Sequence, residues 1–302
     1  MLGDPPWRPF DYVEDGHGRL HAVRAMAGGG RAIVRPTYRR VDGVPRKIDR
    51  PAPLPGHALE PADALLSLFD AECVCLPTQG LRRVCEARGA AAGAVAAPAH
   101  LSAILERLRA SGARVFAYGS QALGVATPAS DWDFLVEGPL DLIEPLLALR
   151  ERHGLRLLDA AAIESLAARY RYPASVVAPH DLAAVLRAGM PFFFAGDAQV
   201  DLFGVAAQDV PCPPAVAREP GLRVAGVIEA NGGDSFLMPR RVMVRDGARR
   251  VAVSHYAWLL CGMERLHGRG VVFSNLLRDA AGGCWFSPRE SRLELVDHAS
   301  LL

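Results

Sequence analysis

Apolar residues at Leu101, Ile104, Leu105 and Leu108 follow the i, i+3, i+4, i+7 spacing of a single helix face. Gly112 is placed to end that helix. The period then changes. The run RVFAY at 114–118 predicts a short strand, and Gly119-Ser120 the turn that leaves it. WDFLVEG at 132–138 predicts a second strand and QVDLFGV at 199–205 a third. Helices are expected over 140–153, 160–170 and 181–188, with Gly154 and Gly189 as stops.

The flanks read differently. RLHAVRAM at 19–26 and RAIVRPTYRRV at 31–41 are joined by AGGG, a hairpin signal. The proline-rich stretch DRPAPLPGH at 49–57 reads as a linker. Residues 60–70 read as helical, with Leu65, Leu66 and Phe69 on one side. GAAAGAVAAP at 89–98 is a small-residue joint. From 222 onward the chain is strand-like and rich in turns. The expected organisation is a β-rich arm and linker over 1–55, a helical connector over 56–97, a catalytic domain over 98–210 and a β-rich module over 211–302.

Bulk composition narrows the classes. Half of the 302 residues are hydrophobic, enough for a sizeable core. A net charge of +1 argues against a strong global attraction to nucleic acid or acidic membranes. That average hides the arm. From Arg19 to Arg50 there are eight arginines and Lys47, the only lysine of the chain, against Asp42 and Asp49. Such a field suits a polyanionic acceptor such as RNA, or a triphosphate tail, and is equally the composition of a solvated face. The six cysteines form no C-x-x-C pair and read as reduced thiols. The start MLGDPPWRPF lacks the features of a signal peptide, and no apolar run approaches bilayer length. A cytoplasmic protein with no membrane partner is expected.

The candidate chemistry sits on the predicted strands. Residues two apart on a strand share a face, so Asp131 and Asp133 project together while Trp132 and Phe134 point the other way. Two like charges that close are a cost unless a cation lies between them. Paired carboxylate oxygens suit Mg²⁺, with Mn²⁺ as a substitute. Asp201 interrupts an apolar strand between Val200 and Leu202, where a carboxylate is costly without a partner. If its strand lies beside that of Asp133, three carboxylates converge. Asp197 is the alternative third acid, but strand register favours Asp201. Gly119 lets the backbone approach a bulky anion, and the Ser120 hydroxyl can donate to it. Gln121 is a further candidate for the nucleotide, and Ser130 reads as a turn residue that braces Asp131. His255, in SHYAW, is either a site edge or packing.

A strand ending in Gly119-Ser120, then Asp131-x-Asp133 on a second strand and Asp201 on a third, resembles the DNA polymerase beta-like nucleotidyltransferase superfamily. The resemblance covers about residues 98–205 and is nearest to the minimal prokaryotic members. It implies an α+β fold: a core of mixed sheet flanked by helices, here with a β-rich N-terminal arm and a small β-rich C-terminal module. It implies that Asp131, Asp133 and Asp201 are both catalytic and metal-binding. It also implies that Gly119 and Ser120, with Gln121 and Ser130 beside them, contact the nucleotide. The implied reaction moves a nucleoside monophosphate from an NTP, ATP foremost, to an acceptor hydroxyl of a protein, an RNA end or a small molecule, releasing pyrophosphate. The competing reading is a non-catalytic nucleotide-binding module of regulatory or antitoxin-like role.

Overall fold

The computed structural model describes residues 7–48, 65–89, 99–138, 154–169, 172–189, 192–205, 212–233 and 237–297. The helix expected from the leucine spacing forms as Ala99–Ala110. Its Leu101, Ile104, Leu105 and Leu108 are buried against Phe134, Val136, Val200 and Leu202. These partners come from a five-stranded sheet, in the order Arg114–Ala117, Trp132–Glu137, Ala198–Val205, Phe192–Ala195, Leu155–Leu157. Trp132–Glu137 and Ala198–Val205 are parallel; the other neighbours are antiparallel.

Period two divides this sheet cleanly. Val115, Phe134, Val136, Val200 and Leu202 face the helix. Phe116, Tyr118, Leu135, Phe203 and Val205 face the opposite way, into the largest core among the described residues. That second core is shared with two further sheets. A six-stranded N-terminal sheet contributes Tyr12, Leu20, Ile33 and Tyr38, and an eight-stranded C-terminal sheet contributes Val242, Val253, Phe273 and Phe286. The hairpin predicted across AGGG is present, with Arg19–Ala27 antiparallel to Arg31–Val41.

The helices expected over 160–170 and 181–188 form as Ala160–Arg169 and Pro179–Gly189. That expected over 140–153, the linker at 49–57 and most of the small-residue joint lie outside the described residues. The connector is a correction. Instead of a helix, its described part holds a short 3₁₀ turn, Leu66–Leu68, and two strands, Val74–Pro77 and Arg82–Cys85. The apolar face that suggested a helix stops at Asp70. Edge pairing with Arg31–Val41 and with Tyr12–Glu14 then takes over. No described helix is long and apolar enough to cross a membrane, and the six cysteines are free.

Gly189 does end its helix, but a second constraint acts there. A Cβ on this residue would lie 2.3 Å from the carbonyl oxygen of Cys261. The helix end therefore packs backbone to backbone on the C-terminal part of the chain. Alanine in a helix ordinarily gains roughly 0.5–1 kcal/mol over glycine, whereas forced backbone shifts cost about 1–3 kcal/mol. Gly189→Ala is expected to lower the urea midpoint; a raised midpoint would show the contact to be loose. On the N-terminal sheet, Arg39 stands directly opposite Arg19 on one side and Arg46 on the other. Like charges so placed repel, so Arg39→Gln should raise stability by about 0.2–1 kcal/mol at low salt. The gain should fade at 1 M salt, where the Debye length is about 3 Å. Equal melting of both proteins at low salt would rule out the repulsion.

Candidate active site

The two parallel strands meet in a register that puts Asp133 directly beside Asp201. Both lie on the face turned away from the Ala99–Ala110 helix, in phase with Leu135 and Phe203. Asp131, two residues before Asp133, opens onto the same space. A cavity of about 200 Å³ is lined on this side by Gly119, Asp131, Asp133 and Asp201. The N-terminal sheet roofs it with Tyr12, Arg24, Arg35, Tyr38 and Lys47, and Trp258 reaches in from the C-terminal part.

Gly119 is required by this geometry. Its φ is +61°, and a Cβ there would sit 2.1 Å from Oδ2 of Asp133. The turn is tied to the same strand, because the Tyr118 amide donates to the Asp133 carbonyl at 2.9 Å. Only glycine lets this backbone close over the carboxylate. Ser120 and Gln121 continue the turn, half-buried, beside the cavity rather than in its lining. Ser130 Oγ accepts the Thr127 amide at 2.9 Å and so closes the loop that delivers Asp131.

Asp201 is 3% exposed and accepts a hydrogen bond from Gln199 Nε2 at 2.8 Å. Asp197 lies exposed in the turn before that strand, outside the cavity lining. Lys47 Nζ stands 4.0 Å from Asp131 Oδ2, and Arg35 Nε donates to Glu72 at 2.6 Å. Burial, reinforced by the charge of Asp133, pushes the Tyr38 hydroxyl up. Burial raises Tyr12 and Tyr118 likewise. All three phenols stay protonated and neutral. His255 is wholly buried outside this lining, and burial with the nearby Arg240 charge drops it to about 3.

The donor chemistry fits a hard divalent ion. Asp131, Asp133 and Asp201 share one wall, and the missing Cβ of Gly119 leaves room for the Asp133 carboxylate. They are not drawn into a cage: among the described residues no three His, Cys, Asp or Glu side chains are grouped to hold a metal.

Sequence reasoning missed the roof. Tyr12, Arg24, Tyr38 and Trp258 come from parts of the chain that pattern alone assigned to separate modules. One signal was available for Arg24, a charged residue inside the otherwise apolar strand sequence HAVRAMA.

Residues 100–172 match the family model of the nucleotidyltransferase domain. The matched interval holds Gly119, Ser120, Asp131 and Asp133 and ends before Asp201. No curated protein and no solved structure matches the chain. Residues 100–172 thus match a nucleotidyltransferase domain model, and that match fits the DNA polymerase beta-like superfamily.

Proposed function

We propose that the protein transfers a nucleoside monophosphate from an NTP, ATP foremost, to an acceptor hydroxyl, using Mg²⁺ or Mn²⁺ held by Asp131, Asp133 and Asp201. The observation that carries this reading is the side-by-side register of Asp133 and Asp201 beneath the Gly119 turn. A bound divalent ion supplies charge neutralisation at the phosphate oxygens and at the attacking oxygen. The residues themselves divide the remaining work. The Gly119 and Ser120 backbone and the Ser120 hydroxyl grip the outer phosphates. Asp201 sits on the acceptor side and takes the proton as the acceptor oxygen attacks the α-phosphorus. The new O–P bond forms as the bond to the bridging oxygen breaks, and pyrophosphate leaves with its electron pair. The protonated phenol of Tyr38 serves as a neutral donor in the roof, while the Tyr12 hydroxyl donates to Tyr118.

A second reading has one observation in its favour. The Lys47 ammonium stands near Asp131, and the carboxylates are not gathered around a common point. A non-catalytic nucleotide-binding module would use that lysine as its cation. Purified protein incubated with each labelled NTP, Mg²⁺ or Mn²⁺ and candidate acceptors separates the two. Metal-dependent label transfer favours the enzyme; nucleotide binding without transfer favours the module.

The acidic residues are expected to differ in their effects. Asp131→Asn and Asp133→Asn should each lower single-turnover transfer by about 100-fold or more. Their metal-free melting temperatures should hold or rise, because like-charge repulsion is relieved. Asp201→Asn should keep NTP affinity while losing transfer to a similar extent, and Asp197→Asn should behave as wild type. Near-normal turnover in Asp133→Asn would remove the carboxylate role, and a dead Asp197→Asn with an active Asp201→Asn would move the third acid four residues earlier.

A further inference from the structure

Resting on the nucleotidyl-transfer reading, we propose that the inner end of the cavity is an acceptor subsite built on Arg24, and that the acceptor is a small molecule bearing an oxyanion, a phosphate or a carboxylate.

Arg24 is aimed inward by a fault in the sheet. The pairing of its strand jumps from Val23↔Val34 to Ala25↔Ile33, leaving Arg24 as the extra residue of a bulge. Bulges re-aim side chains that regular alternation would send elsewhere. The result is an arginine only 5% exposed on the cavity wall. Its guanidinium carbon lies 3.9 Å from the ring centre of Trp258 and 5.8 Å from that of Phe10. Its Nη1 has no hydrogen-bond partner among the described residues. The rings supply polarisable contact but no acceptor atom.

The nearby acids do not resolve this. Asp70 Oδ1 accepts the Tyr172 hydroxyl at 2.7 Å, and burial raises its pKa despite the opposing pull of Arg24. Glu72 accepts Arg35 Nε at 2.6 Å. A buried cation without a hydrogen-bonded counter-charge is costly. It is retained on a cavity wall where a ligand supplies the anion.

Strand order places the Gly119 turn on one flank of Asp133 and Asp201 on the other. Phe203, two residues beyond Asp201 on the same face, packs its ring 4.3 Å from Trp258, the residue under Arg24. Arg24 is thus tied through Trp258 to the Asp201 strand and through Phe10 to Tyr118, the residue before the Gly119 turn; its anion is assigned to the acceptor, and competition with a bound nucleotide analogue tests that assignment. Lys47, exposed beside Asp131, stands at the outer end. A cavity of about 200 Å³ ending in a buried arginine admits a compact anionic group and excludes a duplex or a folded surface.

The probes are inorganic phosphate and acetate, titrated calorimetrically without metal into the full chain and into Arg24→Gln and Arg24→Lys, each checked for a wild-type-like circular dichroism spectrum. Wild type is expected to bind at least one of them. Arg24→Gln should weaken that binding at least tenfold, and Arg24→Lys less so, because it keeps the charge without the planar fork. Binding should persist when Mg²⁺ and a non-transferable ATP analogue are saturating. If Arg24→Gln does not fold, a several-fold weakening in Arg24→Lys carries the same result. Equal affinity in wild type and variants, or none in wild type, overturns the subsite. Displacement of the probe by the analogue assigns Arg24 to the nucleotide's own phosphates and overturns the acceptor assignment. Arg24-dependent anion binding in a protein that fails to bind the analogue leaves the subsite standing and removes the nucleotidyl-transfer reading instead.

Discussion

Two carboxylates stand side by side on neighbouring parallel strands, one of them almost fully buried. Their repulsion is the constraint to which the rest of the cavity answers. A register slip of one residue would relieve it by turning Asp201 toward the Ala99–Ala110 helix. The same slip would expel Val200 and Leu202 from the apolar layer under that helix. The hydrophobic face thus fixes the register that sets the two carboxylates side by side. Gly119 completes it, since any side chain there would collide with the Asp133 carboxylate.

The opposing surface is equally specific. The face of the central sheet that carries the acids also carries Tyr118 and Phe203, and these pack on Phe10 and Trp258, which lie in turns beside the two flanking sheets. This aromatic cluster welds three sheets into one core. It also surrounds Arg24 with ring faces, which accept a guanidinium more readily than aliphatic packing does. Lys47 from the roof meets Asp131 of the floor at 4.0 Å, whereas Arg24 is held on the cavity wall among the rings.

Legibility in the sequence followed the range of the physics involved. The Ala99–Ala110 helix, the strands beside it and the Asp131/Asp133 pairing were readable because they depend on periods within a few residues. Asp201 was readable because a charge amid Val200 and Leu202 contradicts its own strand. The connector was not readable. Its short strands form only by pairing with Arg31–Val41 and Tyr12–Glu14, which lie far away in the chain. The roof failed for the same reason. Tyr12, Tyr38 and Trp258 look like ordinary packing residues until three sheets are brought together, and a bulge at Arg24 leaves no periodic trace.

The matched nucleotidyltransferase interval stops at residue 172, yet Asp201, every roof residue and Trp258 lie outside it. The acid-bearing face of the central sheet would be left with Phe116, Tyr118 and Leu135 in water if the flanks were removed. The flanking sheets are therefore part of the site rather than appendages to it. They cover an apolar surface that the core cannot expose cheaply, and the covering elements bring Arg24, Arg35 and Lys47 to the cavity. The cavity of this chain is closed from outside the matched interval, by the same contacts that complete its core.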